Sequence, residues 1–195
     1  MRRTWGGSRG PRASQGAESN YTNRASAPDH EPPDHAIGRS RGGLATKIHQ
    51  LVDGHGRPLV IALTAGQAND SPMLKYLLAD FAVARPGRGR ARTRPNAVLA
   101  DKAYSSRGNR TLLRSKRVIA VIPQPSDQIA HRKRRGSAGG RPPAFDTDTY
   151  KGRNVVERSF NDYKQWRGLA TRYDKLASVY RGAVVLRAIT LWLRE

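Results

Sequence analysis

Apolar residues fall into periodic patterns only from about residue 44 onward. Residues 46–53 (TKIHQLVD) and 59–64 (LVIALT), joined by GHGRP at 54–58, predict a β-hairpin with a longer loop. Ser71 and Pro72 precede Met73, Leu74, Leu77, Leu78 and Phe81 at helical spacing, predicting a helix to about Val83 with Ser71 as its N-cap. The run AVLA at 97–100, ending in Asp101, predicts a buried strand. Ser105 or Ser106 can cap a helix reaching Lys116, and VIAVI at 118–122 predicts another buried strand, stopped by Pro123. Two helices are expected over 148–168 and 178–193. This order predicts an α/β fold with one mixed sheet and crossover helices.

The remaining stretches resist packing. Residues 1–41 are rich in Gly, Pro, Ser and Arg and predict a flexible basic lead-in to a domain over 42–195. Residues 85–95 (RPGRGRARTRP) predict a basic loop, and 131–143 (HRKRRGSAGGRPP) a mobile one.

Charge narrows the function. The 195 residues hold 36 Lys and Arg against 15 Asp and Glu, a formal charge of +21, so the natural partner is a polyanion such as DNA. The absence of Cys excludes a disulfide scaffold, a thiolate nucleophile and Cys-based metal sites. The longest apolar stretch, 183–193, contains Arg187 and is too short to cross a bilayer. The first thirty residues lack the apolar core of a secretory signal, so a cytoplasmic protein with no membrane partner is expected. The five His lack metalloprotease spacing and are expected at the surface or in turns. Phe160, Trp166 and Trp192 are expected as core aromatics. No phosphate-cradling glycine loop is present.

The chemistry-bearing residues cluster late in the chain. With Glu157 at zero on a helical wheel, Tyr150 falls at roughly +20°, Lys164 at roughly −20° and Arg153 at roughly −40°. One stripe of the expected helix would therefore carry a carboxylate, a guanidinium and an ammonium. A solvated face with Arg153 and Glu157 paired four residues apart is the plain alternative. Asp101 ends an apolar strand, where sites in open α/β sheets gather; it could equally cap the following turn. If the two acids meet, they offer a hard oxygen site for Mg²⁺ or Mn²⁺, able to support in-line phosphoryl displacement.

The segments LADKAYSS at 99–106 and YKGRNVVERSFNDYKQWRGLATRYDK at 150–175 resemble the DDE transposases of bacterial insertion sequences, in the insertion sequence five group. Tyr150, Arg153, Glu157 and Lys164 match that group's Y-R-E-K signature, and GRSRGGLATKIHQLVDGHGRPL at 38–59 is similar to its second and third strands. The resemblance implies a ribonuclease H-like mixed sheet with flanking helices, in which Asp101 and Glu157 are the second and third catalytic acids. It implies two Mg²⁺ or Mn²⁺ ions in a complete site. Tyr150 would support the helix face. Arg153, Lys164 and Lys102, with Arg132, Lys133, Arg134 and Arg135, would contact DNA, both terminal inverted repeats and target. The implied setting is the bacterial cytoplasm, at the nucleoid.

Such enzymes carry their first acid on a strand before the hairpin, and no such strand is expected here. Glu18, Asp29, Glu31 and Asp34 lie in Pro- or Gly-interrupted sequence. Asp53 reads as a hairpin-turn residue, and Asp70 as part of a helix start that could lie near the cleft. The expected function is strand cleavage and transfer during transposition, incomplete in this chain alone. A partner polypeptide or frameshifted product would supply the first Asp, and a homodimer is also compatible. The alternative is a non-catalytic basic DNA-binding protein, an inactive transposase remnant.

Overall fold

A computed structural model describes residues 34–194 as an α/β protein with two small sheets. The first is antiparallel, in the order β1 (Gly38–Ser40), β2 (Gly43–Val52), β3 (Pro58–Ala65). Its hairpin turn depends on Asp53, whose Oδ1 accepts from the amides of His55 and Arg57, each at 2.9 Å. Strand β1 lies inside the stretch expected as a flexible lead-in. A tight turn makes it, with Gly43 at φ +108° and the Ser40 hydroxyl donating to the Gly43 carbonyl at 3.0 Å. Residues 1–33 of that lead-in, with Glu18, Asp29, Glu31 and His30, lie outside the described residues.

Helix α1 (Met73–Ala79) is shorter than its apolar pattern suggested. Val83 leaves the helix to bridge Arg92, with mutual backbone bonds of 2.9 and 2.8 Å that hold the basic loop closed at its base. Pro72 occupies the cap position, and Ser71 instead accepts from Asn109 through its carbonyl and hydroxyl.

Strands β4 (Ala97–Leu99) and β5 (Ile119–Val121) pair in parallel, with the crossover helix α2 (Arg107–Ser115) between them. Ser106 caps α2 by accepting from the Asn109 amide at 3.2 Å. The single mixed sheet expected from the element order is therefore two sheets. Among the described residues no strand pairing joins β4 to β2, and a cleft separates them.

The basic stretch expected as a loop from residue 131 is helical as far as Arg134 in α3 (Ser126–Arg134), followed by a 3₁₀ turn at Gly136–Gly139. His131, Arg132, Lys133 and Arg134 occupy the last turn, where positive charge suits the helix dipole, and Arg132 donates to Gln124. The helix expected over 148–168 is three: α4 (Thr147–Lys151), α5 (Asn154–Lys164) and α6 (Arg167–Ala170). It breaks at Gly152, which packs against Leu99 of β4, and again at Trp166, whose backbone is extended. Helix α7 (Ala177–Trp192) closes the fold.

Three apolar clusters hold these layers. Leu74, Leu78, Val98, Leu113, Val118 and Ile122 join α1 and α2 to the parallel pair. Val60, Leu77 and Phe81 fix α1 to the antiparallel sheet. On that sheet's other face, Ile48, Ile61 and Leu63 pack against Tyr163, Leu169, Tyr180, Val184, Ala188 and Leu191 of α5 to α7. Alternation along β2 explains the division, since Ile48 and Leu51 point to opposite faces.

Candidate active site

The cleft between the two sheets has a volume of about 880 Å³. Its walls are residues 47–54 around β2 and 96–101 around β4, with α1 and α5 contributing Leu74, Leu77, Val156 and Phe160. Asp101 lies just past the end of β4, where its Oδ1 caps a 3₁₀ turn by accepting from the Ala103 amide at 2.9 Å. Glu157 enters from the first turn of α5. The two acids thus line one cavity, together with Asp70 and Arg153.

Each carboxylate already has company. Arg153 donates to Glu157 Oε1 across one helical turn, and the guanidinium lies 5.8 Å from the Tyr150 ring. Lys47 Nζ donates to Asp70 Oδ1 at 2.9 Å and to the Ala68 carbonyl at 2.7 Å. Tyr104 also lines the cleft, and its hydroxyl is pushed up to about 12 by burial, with Asp70 and Asp101 adding to the shift. Asp53, at the far turn, is tied to Arg57 Nε at 2.8 Å and serves the hairpin, as its sequence context suggested.

Among the described residues no three His, Cys, Asp or Glu lie close enough together to hold a metal ion between them. The donors present do not by themselves fit the two-ion site that the resemblance implies: Asp101 is half occupied by a cap and Glu157 by Arg153.

The other expected residues lie outside the cleft. Lys164, two turns beyond Glu157, borders a separate cavity of about 390 Å³ with Thr46 and Arg172. Tyr150 sits on α4 rather than on the Glu157 helix, tilted against Phe145 at 5.2 Å. Lys102 is exposed in the turn after Asp101, and Arg132 to Arg135 end α3.

His49 was missed. Expected at the surface, it is 5% exposed and lies 2.7 Å from Thr64 Oγ1. Burial opposes its charging more than Asp70 favours it, and Lys47 adds to the opposition, so its pKa falls below the usual value. Period-two alternation, which places Lys47, His49 and Leu51 on one face of β2, was the available signal. Trp166 and Trp192, expected in the core, are 36% and 41% exposed. Each is covered by a guanidinium, Arg187 at 5.0 Å and Arg57 at 4.5 Å.

No helix among the described residues is long and apolar enough to cross a membrane. The family model "Transposase DDE domain" matches residues 15–193. A Brucella ovis protein named "Putative transposase for insertion sequence element IS6501" is 32% identical over 151 residues, covering 77% of this chain and 100% of that protein. No solved structure matches. Matched along nearly its whole length, the chain belongs to the transposase DDE domain family, enzymes that cleave and transfer DNA strands.

Proposed function

We propose that this chain carries part of the catalytic centre of an insertion-sequence transposase of the insertion sequence five group, with Asp101 and Glu157 as two of its acids. The observation that carries the reading is their convergence: residues far apart in sequence, one after a parallel strand and one on a helix packed across the cleft, line the same cavity. The two sheets then correspond to the two halves of a ribonuclease H-like mixed sheet. A further carboxylate, from a partner polypeptide or frameshifted product, would complete a site for Mg²⁺ or Mn²⁺, which would supply the activation of an attacking oxygen. Arg153, Lys102, Lys164 and residues 132–135 supply phosphate contacts, supported by the charge of +21. Its place of action is the bacterial nucleoid.

A second reading rests on a specific observation. Glu157 accepts a hydrogen bond from Arg153, and no three-acid group is present among the described residues, as suits a non-catalytic DNA-binding remnant. Incubating the chain, together with the partner polypeptide or frameshifted product that the first reading requires, with DNA bearing the element's terminal inverted repeats separates the two. Nicking that needs Mg²⁺ or Mn²⁺ and is lost in Asp101→Asn and Glu157→Gln, with DNA affinity equal or higher, supports the first. Salt-sensitive binding without cleavage in either ion supports the second. Retained cleavage in either variant rejects the assigned roles.

A further inference from the structure

Between α1 and β4 the chain makes a loop whose neck is fixed and whose tip carries only small residues and arginines. Val83 and Arg92 close the neck with mutual backbone bonds. Arg92 also donates from Nε to the Arg94 carbonyl at 3.0 Å and from a terminal nitrogen to Asn96 Oδ1 at 2.6 Å, which ties the neck to the start of β4. Arg94 reaches the Lys116 carbonyl at 3.5 Å, at the end of α2. Beyond the neck, Arg88 stands between Gly87 and Gly89, and Arg90 between Gly89 and Ala91. Gly87 at φ +97° and Gly89 at φ +143° hold backbone conformations that L side chains rarely adopt, and a Cβ at Gly87 would meet nothing within 4 Å. Arg88 and Arg90 are exposed, and neither forms an ion pair among the described residues. Residues 81–126 hold one acid, Asp101, against eleven Lys and Arg, so the charge of the tip is left for a polyanion outside the chain.

We infer that this loop is a finger for the minor groove of duplex DNA, which Arg88 and Arg90 enter. That groove is only about 6 Å wide, so it bars a helix but admits an arginine whose neighbours are glycines. A·T-rich stretches narrow it further and deepen its negative potential, which draws a cation in. Guanidinium is more weakly hydrated than ammonium, so arginine gives up its water more readily on entry than lysine would. The bonds at the neck fix the finger's direction, and less freedom is lost on binding than a slack loop would lose. Arg114 and Arg117, exposed on either side of Lys116 at the end of α2, stand next to the neck and meet the phosphates that wall the groove.

The finger's place relative to the acids gives it a role. Val83, Arg92, Pro95 and Asn96 line one end of the cleft, and Asp101 lies at the other end of the wall formed by residues 96–101. Extended chain over that span covers about 17 Å, or about five base pairs at 3.4 Å each. DNA with a strand at Asp101 therefore presents its minor groove to the finger within one helical turn, about 34 Å. A finger there reads groove width away from the point of reaction and sets where along the duplex the acids act. Arginines lying on the phosphates outside the groove would need no glycine on either side of Arg88, and lysine would serve them as well. The inference deepens the proposed function and rests on it for the DNA itself; only the register to the acids rests on Asp101.

Equilibrium binding of the full chain, without Mg²⁺ or Mn²⁺, to an A·T-rich and a G·C-rich duplex of equal length tests it. The chain should prefer the A·T-rich duplex at least about fivefold. Arg88→Lys combined with Arg90→Lys keeps the charge and should lose the preference with the salt slope unchanged. Arg88→Gln combined with Arg90→Gln should lose the preference and reduce the salt slope by about 1.8. Because the chain has no Cys, Arg85→Cys provides a single thiol for an iron chelate beside the finger. On a G·C duplex with one A·T run, its hydroxyl radicals should cut both strands at that run, offset to the 3′ side as from a source in the minor groove. Equal affinity for the two duplexes, a preference that survives the Lys substitutions, or cuts scattered along the duplex overturns the inference and leaves the proposed function standing. Failure to bind either duplex overturns both. Nicking is not read, so a chain without catalytic competence gives the same answer.

Discussion

Arg153 donates to Glu157 across one turn at the start of α5, placing a positive charge on the carboxylate that the cleft shares with Asp101. The pair is partly exposed, with side-chain exposures of 28% and 57%, so solvent screens most of its worth. Arg153→Gln should lower stability by no more than about 0.5 kcal/mol in urea unfolding. The same substitution should weaken DNA binding and reduce its salt slope, whereas Glu157→Gln should leave affinity equal or raise it. A double variant whose affinity equals the sum of the single effects would show that the two side chains act on DNA independently.

His49 predicts an acid-side loss of stability that begins near neutrality. Burial holds it neutral in the fold against the pull of Asp70, with Lys47 assisting, so its folded pKa lies below the unfolded value of about 6.5. Between those two values the unfolded chain binds more protons, and stability rises with pH. Unfolding free energy should therefore be level above about pH 7 and fall as pH drops below about 6.5. His49→Gln should abolish that slope; a slope of unchanged size would assign it elsewhere.

Asp53 predicts a second, lower window. Burial pushes its carboxyl up, but the Arg57 amide and side chain and the His55 amide together outweigh it and hold the group below the usual range. A depressed folded value means that the ionised form stabilises the hairpin at neutral pH. That contribution is lost as pH falls from about 4 through the folded value. Asp53→Asn should cost about 1 kcal/mol at pH 7, since Arg57 is partly exposed, and the difference from wild type should vanish in acid. Paired pH titrations of unfolding midpoints would check both windows.

What the sequence made legible were features decided locally. Ser106 caps α2 because a hydroxyl three residues before Asn109 suits that amide, and the Asp53 turn follows from its spacing to Arg57. That Asp101 and Glu157 border one cavity could be anticipated only by pairing a strand end with a helix face. The break at Gly152 was not, because a helical wheel carries no information about Leu99, against which that glycine packs. The burial of His49, which lies 2.7 Å from Thr64 Oγ1 on the neighbouring strand, is likewise a tertiary event that outweighs the preference of imidazole for water. Separation of the sheet into two also escaped the reading, because element order fixes which strands exist and not which edges meet.

Leu113 has no exposed surface and sits among Leu74, Leu78, Val98, Val118 and Ile122, where α1 and α2 clamp the parallel strands. Truncation to Ala removes buried apolar atoms and leaves a cavity that close-packed neighbours fill only in part. Leu113→Ala should cost about 2–5 kcal/mol, and Leu113→Met, which keeps the volume, less than about 1.5 kcal/mol. Both are read from urea midpoints, with an unchanged denaturant slope showing that stability, rather than the compactness of either state, has changed. Because Val98 of β4 belongs to the same cluster, loosening it should also accelerate amide exchange at Ala103, whose N–H is held by Asp101. Destabilisation with Ala103 exchange unchanged would show that the cluster does not position Asp101.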